Sequence, residues 1–131
     1  MANASEALYN INKGILPRDA FIVIVRTQWN PETVDKLLEG CIHILEEFEM
    51  HNYRVVTVPG AFEIPFAIKD FWETNKDKSA TGSKPAAFIA LGCVLRGGTP
   101  HWEYVSGAVT DGILQLNLMS PVQTIFGILT L

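Results

Sequence analysis

The chain reads as an α/β domain, a three-layer αβα sandwich around a four-stranded parallel sheet. Three observations predict this. The uninterrupted run Phe21-Ile22-Val23-Ile24-Val25 has the β-branched composition of a strand covered on both faces. Segments of strand character then alternate with segments of helical periodicity, which implies right-handed crossovers and helices on both sides of a parallel sheet. Finally, 131 residues, 48% hydrophobic and 18% charged, are enough for one self-sufficient core and too apolar for a disordered chain.

Each element has its own signal. After the first strand, Asn30-Pro31-Glu32 marks a helix start, with Asn as a candidate cap, Pro in the first turn and an acid near the positive helix end. Val34, Leu37, Leu38, Cys41, Ile44, Leu45 and Phe48 follow at helical spacing, with Lys36, Glu39, Glu46 and Glu47 mostly opposite. Residues 53–58 form a second strand, stopped by Pro59-Gly60. A second helix is expected over 62–76, where Pro65 is tolerable because it lies in the first turn. Polar residues 77–85 read as a surface loop, and 86–92 as a third strand. A glycine-rich loop at 96–100 leads into a helix over 102–119, whose spacing is carried by Val105, Ala108, Val109, Ile113 and Leu116. A final strand occupies 123–131.

Composition excludes several function classes. Ten Lys and Arg against fourteen Asp and Glu leave a net charge of −4, which argues against a nucleic-acid partner. No apolar run approaches the ~20 residues that span a bilayer, so no membrane partner is expected. The opening residues 1–12 lack the layout of a signal peptide, and the Asn3-Ala4-Ser5 glycosylation triplet reads as chance, so a cytoplasmic location is expected. Cys41 and Cys93 are too few for a disulfide framework. There is no G-x-G-x-x-G, P-loop, G-x-S-x-G or C-x-x-C motif, and His43, His51 and His101 are scattered, so neither a cofactor nor a metal is expected. His43 and His51 read as ordinary surface positions.

In a parallel α/β sheet, ligands bind beyond the carboxyl ends of the strands, which directs attention to 26–30, 59–63 and 93–101. Gly97-Gly98-Thr99 before a helix is either a phosphate cradle, with glycines letting the backbone turn inward, or a flexible connection. His101 follows at once and is either a proton carrier beside that cradle or a capping, partner-bonded imidazole. Glu63 either accepts hydrogen bonds from substrate hydroxyls or simply favours the helix start. Trp29 is a core anchor or a stacking plate for a flat ring. Periodicity alone makes Phe62 and Phe126 packing residues, and Arg96 a solvated charge that could also steer an anion.

Three blocks together resemble the lumazine synthase family, which makes 6,7-dimethyl-8-ribityllumazine. They are Pro59-Gly60-Ala61-Phe62-Glu63-Ile64-Pro65, then Gly92-Cys93-Val94-Leu95-Arg96-Gly97-Gly98-Thr99-Pro100-His101-Trp102-Glu103-Tyr104, then Ile125-Phe126-Gly127-Ile128-Leu129-Thr130. The resemblance implies an enzyme that joins a ribitylamino-uracil to a butanone phosphate without a cofactor, on a fold of flavodoxin-like strand order. It implies a pyrimidine-stacking aromatic at Trp29, pyrimidine and ribityl contacts from Ala61, Phe62 and Glu63, and backbone contacts to the pyrimidine edge from Cys93, Val94 and Leu95. Gly98 and Thr99 would bind phosphate, and His101 would move protons. Phe126 would reach the ring of a neighbouring subunit, because the family's sites lie between subunits of a pentamer or a multiple of pentamers. The family continues into helices that carry a phosphate-binding arginine. This sequence is written to Leu131, so one domain over 1–131 without that helical segment is expected. Two other readings share the fold: a flavin-binding protein, and a shell subunit with a weakened site.

Overall fold

The computed structural model describes residues 16–78 and 82–131. The opening segment with its Asn3-Ala4-Ser5 triplet, and residues 79–81 of the 77–85 loop, lie outside the described residues. The observed strands are β1 (Phe21–Thr27), β2 (Tyr53–Val58), β3 (Pro85–Val94) and β4 (Gln123–Thr130). The helices are α1 (Pro31–Glu47), α2 (Ile64–Asn75), preceded by a short 3₁₀ turn (Ala61–Glu63), and α3 (His101–Met119). All pairings are parallel, in the order β2-β1-β3-β4, so the chain is the three-layer α/β fold with flavodoxin-like order that the sequence predicts.

Alternation along the strands divides the core in two. Val23 and Val25 of β1, Phe88 and Ala90 of β3 and Ile128 of β4 face α2 and α3, where Ile64, Ile68, Trp72, Val109 and Ile113 close the larger cluster. Ile22, Ile24 and Leu91 face the other way and meet Leu37, Leu38, Cys41, Ile42 and Leu45 of α1. Each fully buried Val, Ile or Phe contributes about 1.5–3 kcal/mol of transfer free energy, so this two-sided burial is the main stabilising term. The spacing puts Ile44 on the apolar stripe too, but it is 47% exposed: it lies at the stripe's margin, and Ile42 packs on the sheet in its place. The same helix covers β1, β2 and β3 but leaves Ile125 and Leu129 of β4 exposed.

Most observed bounds fall within a residue of the expectation, and two elements depart from it further. β3 runs on to Val94, two residues past the expected Gly92, because its register with β4 extends to the pair Val94–Thr130. The second helix begins as a 3₁₀ turn, and its α-helical part starts at Ile64, with Pro65 in the first turn, where the missing N–H costs nothing.

Two side-chain devices hold α3. Asn117 donates from Nδ2 to the Thr124 carbonyl (3.1 Å) and accepts from the Thr124 N–H at Oδ1 (2.7 Å), pairing the helix end with the start of β4. Gly112 lets α3 approach α2 closely, since a Cβ there would stand 2.6 Å from Cγ and 2.8 Å from Cβ of Pro65. Gly112→Ala gains about 0.8–1 kcal/mol of helix propensity. Against a rigid proline ring, however, overpacking costs about 1–3 kcal/mol. A net destabilisation of up to about 2 kcal/mol is expected, read from the urea midpoint, and a raised midpoint would show that the helices separate without cost.

Candidate active site

A cleft of about 720 Å³ opens beyond the carboxyl ends of the central strands, a size suited to a small organic ligand. Trp29, Ala61, Phe62, Glu63, Cys93, Val94, Leu95 and His101 line it. The topology thus brings together three segments far apart in sequence. Gly98 and Thr99 stand in the loop leading to His101 but do not line this cleft, and Phe126 lies on β4 opposite Ala90, outside it as well.

The loop after β1 is pinned to the loop after β2. Gln28 N–H donates to the Val58 carbonyl (2.7 Å) and Trp29 N–H to the Pro59 carbonyl (3.0 Å), so the parallel ladder continues past the strand ends. Trp29 is 50% exposed in the cleft wall, which sets aside the core-anchor reading and leaves an accessible ring face. Asn30 does not cap α1 through its side chain. Its backbone is left-handed (φ 54°, ψ 59°), and its Nδ2 donates to Cys93 Sγ at 3.4 Å. The left-handed turn aims the amide across to β3 rather than at the helix's own N–H groups. It ties the two central strand ends together.

Glu63 is set by a reciprocal pair. Its Oε2 accepts from the Gly60 N–H (3.1 Å), while its own N–H donates to the Gly60 carbonyl (3.2 Å). The carboxylate is thereby held at the cleft wall by one oxygen and remains exposed. Phe62 is 62% exposed, so it is not the packing residue that periodicity suggests: the 3₁₀ turn points it outward.

His101 opens α3 behind Pro100 at the cap position, and it is exposed. Among the described residues nothing hydrogen-bonds or ion-pairs with its imidazole, so the capping and partner-bonded readings fall. The preceding glycines are not required by a left-handed backbone or by close packing. Neither Gly97 nor Gly98 has a left-handed φ, and nothing lies within 4 Å of where a Cβ would stand. What they leave is an uncovered stretch of backbone beside the helix start. Arg96 is not a free charge: its guanidinium lies 5.1 Å from the centre of the Trp102 ring, and its N–H donates to the Leu131 carbonyl.

Pro59, Gly60, Trp102, Tyr104 and Val105 also line the cleft, though the chemistry of the loops did not single them out. The usable signal was helical spacing, since positions 104 and 105 lie one turn beyond His101 on α3. His43 and His51 sit away from the cleft, each beside an acid of α1: His43 near Glu47 (4.0 Å) and His51 on Glu46. The Cys41 thiol, on the sheet-facing side of α1, has its pKa raised by burial.

Residues 19–131 match the sequence profile of the 6,7-dimethyl-8-ribityllumazine synthase family. The chain is similar to the proteins of that name from Parabacteroides distasonis (41% identity, covering 99% of this chain and 79% of the relative) and Streptomyces coelicolor (34%, covering 86% and 64%). It is also similar to the one from Kineococcus radiotolerans (38%, covering 83% and 62%). It therefore spans somewhat less than two thirds of the length of the last two.

The left-handed turn at Asn30 can be tested by stability. Asn30→Ala should destabilise by about 1–2 kcal/mol, the cost of that backbone for a Cβ-bearing residue without a local amide, whereas Asn30→Gly should come close to the parent. Equal losses in both variants, measured by urea denaturation, would assign the effect to the Cys93 contact rather than to the backbone.

Proposed function

The chain belongs to the 6,7-dimethyl-8-ribityllumazine synthase family, and on that basis we propose that it condenses 5-amino-6-(D-ribitylamino)uracil with 3,4-dihydroxy-2-butanone 4-phosphate, with loss of phosphate and water. The observation that carries this reading is the meeting of Trp29, Glu63 and His101 in one cleft, an exposed aromatic face, a fixed carboxylate and an unpartnered imidazole.

In this reading Trp29 stacks on the pyrimidine, with Ala61 and Phe62 at its edge, and the backbone of Cys93, Val94 and Leu95 meets its polar groups. Glu63 accepts from the ribityl hydroxyls with the oxygen that Gly60 does not occupy. The uncovered backbone at Gly98 and Thr99, together with the start of α3, receives the phosphate. The uracil amine adds to the ketone and a Schiff base forms with loss of one water; phosphate then leaves, and ring closure expels a second water. Every step moves protons between substrates held side by side, so positioning and one acid/base group suffice. His101 fills that role, because it stands at the cleft directly after the phosphate loop. His101→Ala should slow turnover by roughly 100-fold or more with assembly intact. Unchanged lumazine formation, followed by absorbance, would remove His101 from the mechanism.

The same reading makes the protein a homo-oligomer, a pentamer or a multiple of pentamers in the cytoplasm, with Phe126 reaching a neighbour's site. Support comes from apolar surface left open: Phe66 (74% exposed) and Met119 (81% exposed) rim a groove of about 380 Å³ between α2 and α3. No helix among the described residues is long and apolar enough to cross a membrane. Sedimentation should give a pentamer or a multiple of it, and a stable, fully active monomer at micromolar concentration would contradict both the assembly and the shared site.

A further inference from the structure

We propose that Thr27 is a positioning residue for the pyrimidine substrate, acting through Trp29. Thr27 is the last residue of β1 and is fully buried, although it is polar. A buried hydroxyl needs a partner, and this one donates from Oγ1 to the Trp29 carbonyl at 3.2 Å. The methyl group is fixed as firmly as the hydroxyl. It lies 3.1 Å from where a Cβ on Gly92 would stand, so the absence of a side chain at Gly92 makes room for it. Oγ1 stands 3.7 Å from the same Gly92 position, so packing against β3 fixes the rotamer from which the hydroxyl reaches the Trp29 carbonyl.

Trp29 needs such a hold because its ring is half exposed and gains little orientation from packing. Its main chain is held on both sides: its N–H by the Pro59 carbonyl and its C=O by Thr27. The first bond is between two backbone groups and survives any side-chain change. The second depends on a single hydroxyl. Rigid backbone at Trp29 keeps the indole plane where a flat ring can stack on it, so loss of the Thr27 hydroxyl should weaken pyrimidine binding without touching the phosphate loop.

This inference rests on the stacking role proposed for Trp29, and the test separates the two. Thr27→Val keeps the shape and removes the hydroxyl. It should raise KM for the ribitylamino-uracil about 3- to 10-fold, the scale of one neutral hydrogen bond, while KM for the butanone phosphate stays within about twofold. Thr27→Ser, which keeps the hydroxyl but not the methyl that steadies it, should lie nearer the parent than Thr27→Val does. Thr27→Cys, of similar volume with only a weak donor, should behave like Thr27→Val and serves if that variant fails to fold. In a Trp29→Ala background, Thr27→Val should change nothing further, because its route to the substrate is gone. An equal effect in both backgrounds, or no effect in the parent while Trp29→Ala weakens binding, overturns the positioning role alone. If Trp29→Ala itself leaves KM unchanged, the stacking assignment fails on its own measurement and takes this inference with it.

Discussion

The side-by-side meeting of β1 and β3 at their carboxyl ends, with the buried Thr27 methyl set against the bare Gly92 backbone, is the contact on which the functional end of the molecule depends. These two strands are the centre of the sheet, and each is bonded on both edges. Their exit loops must therefore diverge within a few residues, and the space between them becomes the cleft. A larger residue than glycine at 92 would displace Thr27 or push β3 away from β1. The loop carrying Trp29 and the one running from Cys93 to His101 would then lose their relative placement. The Asn30–Cys93 contact spans the same gap, so it is closed by a methyl and an amide acting together.

Around this centre the two layers of helix are unequal. α2 and α3 pack closely on one face, with Gly112 on Pro65 setting their separation and the Asn117 fork fixing α3 to β4. α1 covers the opposite face only as far as β3. The face toward the substrate loops is thus backed by the denser core, which suits elements that must hold a site in place. The outward apolar surfaces fall at β4 and along the groove between α2 and α3. These are the surfaces an oligomer would cover, and the groove starts at Pro65 and Phe66, just past Glu63.

Glu63 and His101 differ in how they are restrained. Glu63 is locked through Gly60 by a bond that only its own short turn could make. His101, exposed at the head of a long helix, has no hydrogen-bond or ion-pair partner among the described residues, which leaves it room to turn toward a bound substrate. A ligand holder benefits from fixed geometry, whereas a proton carrier serving several steps benefits from rotational freedom. The contrast fits the roles proposed for them.

Local pattern in the chain was enough to place the strands, the helices and the end of the sheet where chemistry had to lie. Periodicity and β-branched runs are properties of neighbouring residues, and a parallel sheet leaves only one kind of place for a ligand. The same chain carries the two long blocks from which the family could be named, and eight of the residues that line the cleft were legible in it. The choices that depend on contacts across the chain stayed open. Trp29 exposed in the cleft wall rather than buried as an anchor, Asn30 as a bridge to Cys93 rather than a cap, and Phe62 turned outward are each decided by a neighbour from another segment or by a turn's geometry. The role of Thr27 was invisible for the same reason. At the end of a strand, a threonine looks like any β-branched residue until Gly92 is seen beside its methyl and the Trp29 carbonyl beside its hydroxyl. Folding alone resolves these positions, because direction and burial of a side chain are set by what packs against it.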